Sequence, residues 1–178
     1  MHLLFVCTGN ICRSPTAERL ARAYAKRHGI AEQLTASSAG IRAVVGYGMQ
    51  PTAAEVLIEL GGDPASFRAR QLSPAMVEAA DLVLTMSTRH RDRVLEQVPR
   101  AMRRSFTLPE AAMLLTVATD ETELLPRLAQ ARAHQPPAVA SINIEDPMGG
   151  EPSMYRSIGQ QVAAVLLPVL HAVRAELA

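Results

Sequence analysis

The stretch that decides the fold is HLLFVCTGNICRSPTAE, residues 2–18, which contains both cysteines of the chain. Residues 2–7 are apolar apart from one histidine and stop at a Thr-Gly-Asn turn, a pattern typical of a buried strand. Ser14 followed by Pro15 then indicates a helix N-cap and a first helical position. The stretch therefore predicts a strand, a short loop and a helix, in that order.

Strand and helix patterns alternate along the following part of the chain. Further strands are predicted at 34–40, 81–86 and 103–108, with helical segments between them. Such alternation is typical of parallel strands joined by right-handed crossovers. We therefore expect an α/β fold, a single three-layer domain over residues 1–178 with a central four-stranded parallel sheet flanked by helices. Ligands of such sheets bind at the carboxyl ends of the strands.

The C-terminal third is predicted to be helical with two loops. A helix is expected at 121–133, followed by a proline-containing loop at 134–140. A second turn-rich loop precedes a long final helix that begins near Ser153 and is expected to kink at Pro168.

Composition excludes several classes of partner. Charged residues make up 20% of the 178 residues and the net charge is +1, so no overall attraction to nucleic acid is expected. The basic run at 88–93 is interpreted as a solvated helix face.

The longest apolar run, 162–170, is too short to span a membrane, and residues 2–7 lack the features of a secretory signal. With two cysteines the chain is no disulfide scaffold, and a cytoplasmic location without membrane insertion is expected. The oligomeric state is not indicated.

The loop after the first strand has the composition of an anion cradle. Arg13 follows Cys7 by six positions, and a helix begins immediately afterwards. Successive backbone N–H groups of such a loop can surround a phosphate, and the helix N-terminus adds partial positive charge. Gly9 lets the backbone turn tightly, and the Arg13 guanidinium can hold two phosphate oxygens. The residues expected to contact phosphate are Thr8, Gly9, Asn10, Ile11, Cys12 and Ser14.

Cys7 is the predicted nucleophile of this loop. The groups that bind phosphate also stabilise a thiolate, which would lie in line for attack on the phosphorus atom. Ser14 can donate a hydrogen bond to the sulfur and stabilise it as a leaving group. The alternative is a small core residue at a strand end. A Walker-type loop is excluded because no Gly-Lys-[Ser/Thr] is present, and no cysteine and histidine spacing indicates zinc, so neither a metal nor a cofactor is expected.

The segment VCTGNICRSPTAE closely resembles the signature loop of the bacterial low-molecular-weight protein tyrosine phosphatases. SSAG at 37–40, RARQL at 68–72, ADLVLTM at 80–86 and Asp-Pro at 146–147 follow in the family's order. The resemblance covers essentially the whole chain, with an expected insertion at about 107–140. It implies a phosphatase that hydrolyses monoesters of a phosphorylated protein or peptide through a cysteinyl-phosphate intermediate.

Three further roles are implied by the resemblance. Of the two Asp-Pro pairs, that of Asp146 lies in a loop before the last helix, where the family has its general acid, whereas Asp63 is interpreted as a turn residue. Arg70, in RARQL, is expected from the family pattern to brace the site from the side; the alternative is a surface arginine. Cys12 is the expected redox partner that traps oxidised Cys7 as a disulfide, and the alternative is that it packs beneath the loop.

Two departures from the family pattern concern the substrate. Met148 stands where tyrosine-specific members usually have tyrosine, and Tyr47 comes later than the family's other aromatic residue. Aromatic walls hold a phenyl ring. The form Asp-Pro-x-Gly-Gly is similar to that of protein arginine phosphatases, but those carry threonine where this chain has Ile11. We favour phosphotyrosine, and a protein arginine phosphatase on the same fold stays open.

Two other functions remain as alternatives. An arsenate reductase on this fold would have to use external thiols, because no cysteine follows Cys12. A non-catalytic phosphate-binding module would not need Cys7, Arg13 and Asp146 together.

Overall fold

The computed structural model describes residues 1–117, 123–134 and 142–178. The strands are β1 (His2–Cys7), β2 (Thr35–Gly40), β3 (Leu82–Thr85) and β4 (Ser105–Thr107). The helices are α1 (Arg13–Arg27), α2 (Pro51–Glu59), α3 (Pro74–Glu78), α4 (Thr88–Gln97), α5 (Leu108–Val117), α6 (Leu124–Ala133) and α7 (Pro152–Glu176). A short 3₁₀ helix, Pro99–Arg104, precedes β4.

The four strands form one parallel sheet in the order β2-β1-β3-β4. The chain leaves β1 through α1 to reach β2 on one side, and later places β3 on the other side of β1. The carboxyl end of β1 is therefore the point where the strand order reverses, which is where open α/β sheets bind ligands. Gly40 is paired with Cys7 at this end of the sheet. The expected four-stranded parallel sheet is confirmed.

The sheet is covered on both faces because its strands alternate between two cores. Leu3 and Phe5 are fully buried in a core that includes residues of α1, α5, α6 and α7. Leu4 and Val6 are fully buried in a second core with residues of α3 and α4. Strands buried on both faces are typical of parallel sheets, and the three-layer arrangement is confirmed.

Several predicted boundaries are wrong by a few residues. The first helix begins at Arg13 with Cys12 as its N-cap, so Ser14 lies inside the first turn and its side chain is free for other contacts. The helix predicted from residue 121 begins at Leu124. The final helix begins at Pro152 and continues through Pro168, where the kink stays a prediction. Most of the loop predicted at 134–140 lies outside the described residues.

The interpretation of 88–93 as a solvated helix face is wrong in part. His90 is only 3% exposed and points from α4 towards the sheet's carboxyl end. Arg91 forms an ion pair with Glu110, which is 1% exposed. Tertiary packing of α4 against the sheet thus buries one side of a strongly polar helix.

One helix of the described residues, α7, is long and apolar enough to cross a membrane by length and composition. Of its most apolar window, 39% is buried inside the protein. The core helix of a soluble protein meets the same criterion, so the finding is weak evidence of a membrane span.

Candidate active site

Cys7 lies at the end of β1, with its sulfur facing the loop of residues 8–13. The side chain is 2% exposed. Its Sγ accepts a hydrogen bond from the backbone N–H of Asn10 at 3.3 Å, and the Ser14 Oγ lies 2.9 Å from the same sulfur. The loop therefore folds back over the strand end, and two polar groups converge on a single sulfur.

Asn10 holds the loop in this shape. It is completely buried and has a left-handed backbone with φ of 55°. Its Nδ2 donates to Ser14 Oγ at 2.9 Å and to Ser38 Oγ at 2.8 Å, while its Oδ1 accepts from the backbone N–H of Arg70 at 2.8 Å. The tight turn expected at Gly9 is made by Asn10, since asparagine tolerates this conformation and can bond locally.

These contacts fix the direction of the hydrogen bond to Cys7. Both Nδ2 protons of Asn10 are used, one on each serine, so the Ser14 oxygen accepts and its own proton is available for the Cys7 sulfur. Ser38 likewise accepts from Asn10 and donates to Glu18 at 2.6 Å. The Cys7 sulfur thus has two donors beside it, the Asn10 backbone N–H and the Ser14 hydroxyl.

Glu18 is a member of this network that sequence reasoning missed. It is 5% exposed although it is charged, and it also contacts Arg22 of the same helix at 3.4 Å. From the sequence, Glu18 is only an acidic residue near the start of a helix, and nothing in its local pattern indicates a buried hydrogen bond. The serine that it accepts from lies on β2, and this pairing depends on the tertiary fold.

Arg13 and Asp146 meet at the wall of the site. Arg13 is 5% exposed; one Nη donates to the Asp146 carboxylate and the other to the carbonyl of Ile144 at 2.9 Å. Its Nε is buried and has no hydrogen-bond partner among the described residues. The Asp146 side chain is 42% exposed and so accessible from the cleft. Asp63 instead lies in an exposed turn, where it accepts from the N–H of Ala65.

Arg70 lies beside the loop and contacts it through main-chain groups. Its backbone N–H donates to Asn10, as described, and its Nη2 donates to the carbonyl of Ser38 at 3.0 Å. The first contact holds Arg70 to the loop and the second holds it to β2, so Arg70 bridges the two. This arrangement agrees with a bracing role, with the backbone carrying one of the two bonds.

Cys12 packs against α2 and α7 and also contributes to the lining of the cleft over the loop. It is 5% exposed and belongs to a small apolar cluster with Ala53, Val56 and Tyr155. Burial, reinforced by the negative charges of Cys7 and Asp146, raises the pKa of Cys12 to about 12. Both cysteines are free thiols in this structure. In this structure Cys12 is thus a packed, free thiol, and its trapping of oxidised Cys7 as a disulfide stays a prediction.

A cleft of about 450 Å³ opens over the loop. It is lined by Cys7, Thr8, Gly9, Ile11, Cys12, Arg13, Arg42, Val44, Asp146 and Met148. The described lining thus combines two arginines with apolar side chains and includes no aromatic ring. Tyr47 is 69% exposed and lies outside this lining, while Tyr155 is buried on α7 with its hydroxyl 3.9 Å from the Met148 sulfur.

The chain was compared with known proteins. The family model described as low molecular weight phosphotyrosine protein phosphatase matches residues 2–124, more than half of the chain. The low molecular weight protein-tyrosine-phosphatase Wzb of Escherichia coli K12 is 44% identical over 98 residues, which span 55% of this chain and 63% of that relative. The match thus covers less than two thirds of that relative's length.

Two further similarities reach beyond this segment or towards another activity. The protein-arginine-phosphatase of Bacillus subtilis is 37% identical over 110 residues, 62% of this chain and 71% of that protein. The crystal structure of a low molecular weight protein tyrosine phosphatase from T. tengcongensis superposes with a TM-score of 0.74 at 30% identity, covering 96% of this chain and 98% of that one. With the family model matched across the signature loop and all four strands, this chain belongs to the low molecular weight phosphotyrosine protein phosphatase family.

Proposed function

We propose that this protein is a cysteine-dependent phosphatase that hydrolyses phosphoprotein monoesters, foremost phosphotyrosine, through a cysteinyl-phosphate intermediate. The observation that carries the proposal is the Cys7 sulfur at the floor of the cleft. It accepts from the N–H of Asn10 and lies 2.9 Å from the Ser14 hydroxyl. A sulfur that is surrounded by donors beneath an anion-binding loop is suited to act as a thiolate nucleophile.

In the first step, the Cys7 thiolate attacks the phosphorus atom and the bond to the leaving-group oxygen breaks. Arg13 binds two phosphoryl oxygens, for which its unpartnered Nε and the Nη now on Asp146 are available. Phosphate binding thereby replaces one ion pair by another and frees Asp146. The carboxyl group of Asp146 then protonates the departing oxygen, as a positioned general acid does.

In the second step, the Asp146 carboxylate takes a proton from water, and the resulting hydroxide attacks the phosphorus atom of the cysteinyl phosphate. The S–P bond breaks and the thiolate is regenerated together with inorganic phosphate. The Ser14 hydroxyl stabilises the departing sulfur in this step, since its proton is directed there by Asn10. Thr8, Gly9, Ile11 and Cys12 contribute to the loop around the phosphoryl group.

Apolar walls support phosphotyrosine as the substrate. Ile11, Val44 and Met148 line the cleft, and such surfaces accept a phenyl ring. The similarity to the arginine phosphatase of Bacillus subtilis supports phosphoarginine as the second candidate. Ile11 counts against it, because its side chain cannot supply the hydroxyl that the arginine phosphatases have at this position.

The catalytic roles are tested with the full chain and two aryl phosphates. Cys7→Ser is expected to abolish turnover of para-nitrophenyl phosphate. Asp146→Asn should lower kcat by about 10²-fold or more with phenyl phosphate, and less with para-nitrophenyl phosphate, whose phenolate leaves without full protonation. Asp63→Asn, in the other Asp-Pro pair, is the matched control and should change neither rate. Activity that survives Cys7→Ser would rule out the mechanism.

Substrate choice is tested by comparing kcat/KM on phosphotyrosine and phosphoarginine peptides of the same sequence. We expect the phosphotyrosine peptide to be preferred and Ile11→Thr to shift the ratio towards phosphoarginine. A wild-type preference for phosphoarginine would select the second candidate.

Arsenate is expected to cause no consumption of thiol reductant, and such consumption would select an arsenate reductase that uses external thiols.

We further propose that the protein is one cytoplasmic domain over residues 1–178, with an insertion at about 107–140. The family resemblance and the core on one face of the sheet support this organisation, because α5, α6 and α7 contribute to the same cluster as β1. The apolar side of α7 belongs to that core, which supports a core helix over a membrane span. Fractionation of cells that produce the full chain tests the location, and recovery in the membrane fraction would contradict it.

A further inference from the structure

His90 connects the cleft to α4 in a way that the proposed mechanism does not use. Its ring is buried, and both ring nitrogens have polar neighbours. Nδ1 lies 2.7 Å from Ser87 Oγ, and Nε2 lies 2.9 Å from Thr8 Oγ1. Ser87 and His90 follow β3, whereas Thr8 follows β1, so the ring links the carboxyl ends of two adjacent strands.

The direction of these hydrogen bonds follows from the donors available. Burial, with the positive charges of Arg13 and Arg89, lowers the pKa of His90 to about 4, so the ring is neutral and has one N–H. Ser87 Oγ already accepts from the backbone N–H of His90 at the start of α4. With the ring proton on Nε2, Ser87 donates to Nδ1 and His90 donates to Thr8. The other tautomer would leave the Ser87 proton without a partner among the described residues.

The Thr8 hydroxyl is therefore an acceptor towards His90 and has its own proton left to donate. Its Oγ1 has no other hydrogen-bond partner among the described residues, and Thr8 lines the cleft next to Cys7. A neutral donor aimed at a developing anionic oxygen, and held by a fixed partner, stabilises a transition state because it needs no reorganisation.

We propose that the Thr8 hydroxyl donates a hydrogen bond to the transferring phosphoryl group and that His90, held by Ser87, is the positioning residue that directs it. The inference rests on the proposed phosphatase function and adds one donor to the backbone cradle. It assigns to the α4 histidine an effect on the reaction that is exerted through Thr8 alone.

Substitution of Thr8 tests the donor itself. Thr8→Val keeps the shape and removes the hydroxyl, whereas Thr8→Ser keeps it. We expect Thr8→Val to lower kcat/KM for para-nitrophenyl phosphate by about 10- to 100-fold, the range for a hydrogen bond to a charged group, and to weaken inhibition by orthovanadate in parallel. Thr8→Ser should stay within about threefold of wild type. An unchanged rate in Thr8→Val would overturn the proposal.

Two substitutions of His90 separate positioning from packing. The amide nitrogen of glutamine can occupy the place of Nε2 and that of asparagine the place of Nδ1, so His90→Gln keeps the bond to Thr8 and His90→Asn loses it. We expect His90→Gln to retain most activity and His90→Asn to fall as far as Thr8→Val. Exposed His134 provides the matched control, since His134→Asn should change nothing.

A double variant tests whether the two residues act together. Once the Thr8 hydroxyl is absent, His90 has nothing to direct, so Thr8→Val with His90→Asn should be no slower than Thr8→Val alone. Losses that multiply would overturn the positioning role. If His90→Asn does not fold, the Thr8 pair and His90→Gln still decide the question. An inactive wild-type enzyme would refute the proposed function itself, whereas an active enzyme insensitive to Thr8→Val would refute only this inference.

Discussion

Replacing Asn10 by alanine should lower the free energy of unfolding more than any other single truncation in the loop. The side chain is completely buried and joins three partners on three parts of the chain. Alanine leaves the Arg70 N–H without its acceptor and both serine oxygens without their donor. It must also adopt a left-handed backbone, with φ of 55° in the wild type.

The magnitude follows from these contacts. Three lost hydrogen bonds at about 1 kcal/mol each, and about 1 kcal/mol for alanine in the left-handed region, give a loss of about 4 kcal/mol in the free energy of unfolding. At about 2–4 °C per kcal/mol for a chain of this size, the Tm should fall by roughly 8–16 °C. Activity should fall as well, because Ser14 is no longer forced to direct its proton to Cys7.

Urea unfolding followed by circular dichroism measures this loss directly. Asn143 is the matched control, because it is exposed and, among the described residues, its side chain accepts one hydrogen bond, from the N–H of Thr88. Asn143→Ala should therefore cost about 1 kcal/mol or less. A loss in Asn10→Ala that cannot be distinguished from that of Asn143→Ala would refute the reasoning.

Four other outcomes are expected. Gly40→Ala should cost about 2 kcal/mol, measured by urea unfolding, because a Cβ there would lie 2.5 Å from the carbonyl oxygen of Thr8. Native Cys12 should resist iodoacetamide near neutral pH, followed by mass spectrometry in a Cys7→Ser background, because its pKa of about 12 keeps it a buried thiol. The free energy of unfolding should fall as the pH drops from 6.5 towards about 4, by roughly 2 kcal/mol at about pH 5. In this range His90 is protonated in the unfolded chain but stays neutral in the native protein, because burial lowers its pKa to about 4. Glu110→Ala should cost about 3–5 kcal/mol in urea unfolding, because it leaves two arginines without their buried partner.

Each outcome has its own control. Gly48→Ala has open space around the added methyl group and should be neutral, so an equal loss there would contradict the steric argument for Gly40. Rapid labelling of Cys12 before urea is added would contradict its burial. His90→Gln should flatten the acid dependence of stability, and an unchanged slope would assign it to other groups. Glu78→Ala, which breaks an exposed ion pair, should cost under about 1 kcal/mol.

The opening of the fold could be predicted because its signals are local. The apolar run of β1, the turn at Asn10 and the helix start after Cys12 are set by neighbours in the chain, and the spacing of Cys7 and Arg13 fixes the loop length. The role of Ser14 illustrates where local signals fail. Its place in the chain indicated a helix cap, whereas the structure starts the helix one residue before it and uses its hydroxyl at the Cys7 sulfur.

What the sequence by itself determined is the parallel α/β arrangement and the anion loop, because hydrophobic period, turn residues and a six-residue spacing act over short distances. What only the tertiary structure decided is the set of partners brought to that loop from afar. Asp146 reaches Arg13 across 133 positions, His90 reaches Thr8 across 82, and Glu18 is joined to Asn10 through a serine on β2. The physical reason is that parallel pairing gathers the carboxyl ends of distant strands at one edge, where burial leaves each polar group to find a partner that no local pattern specifies.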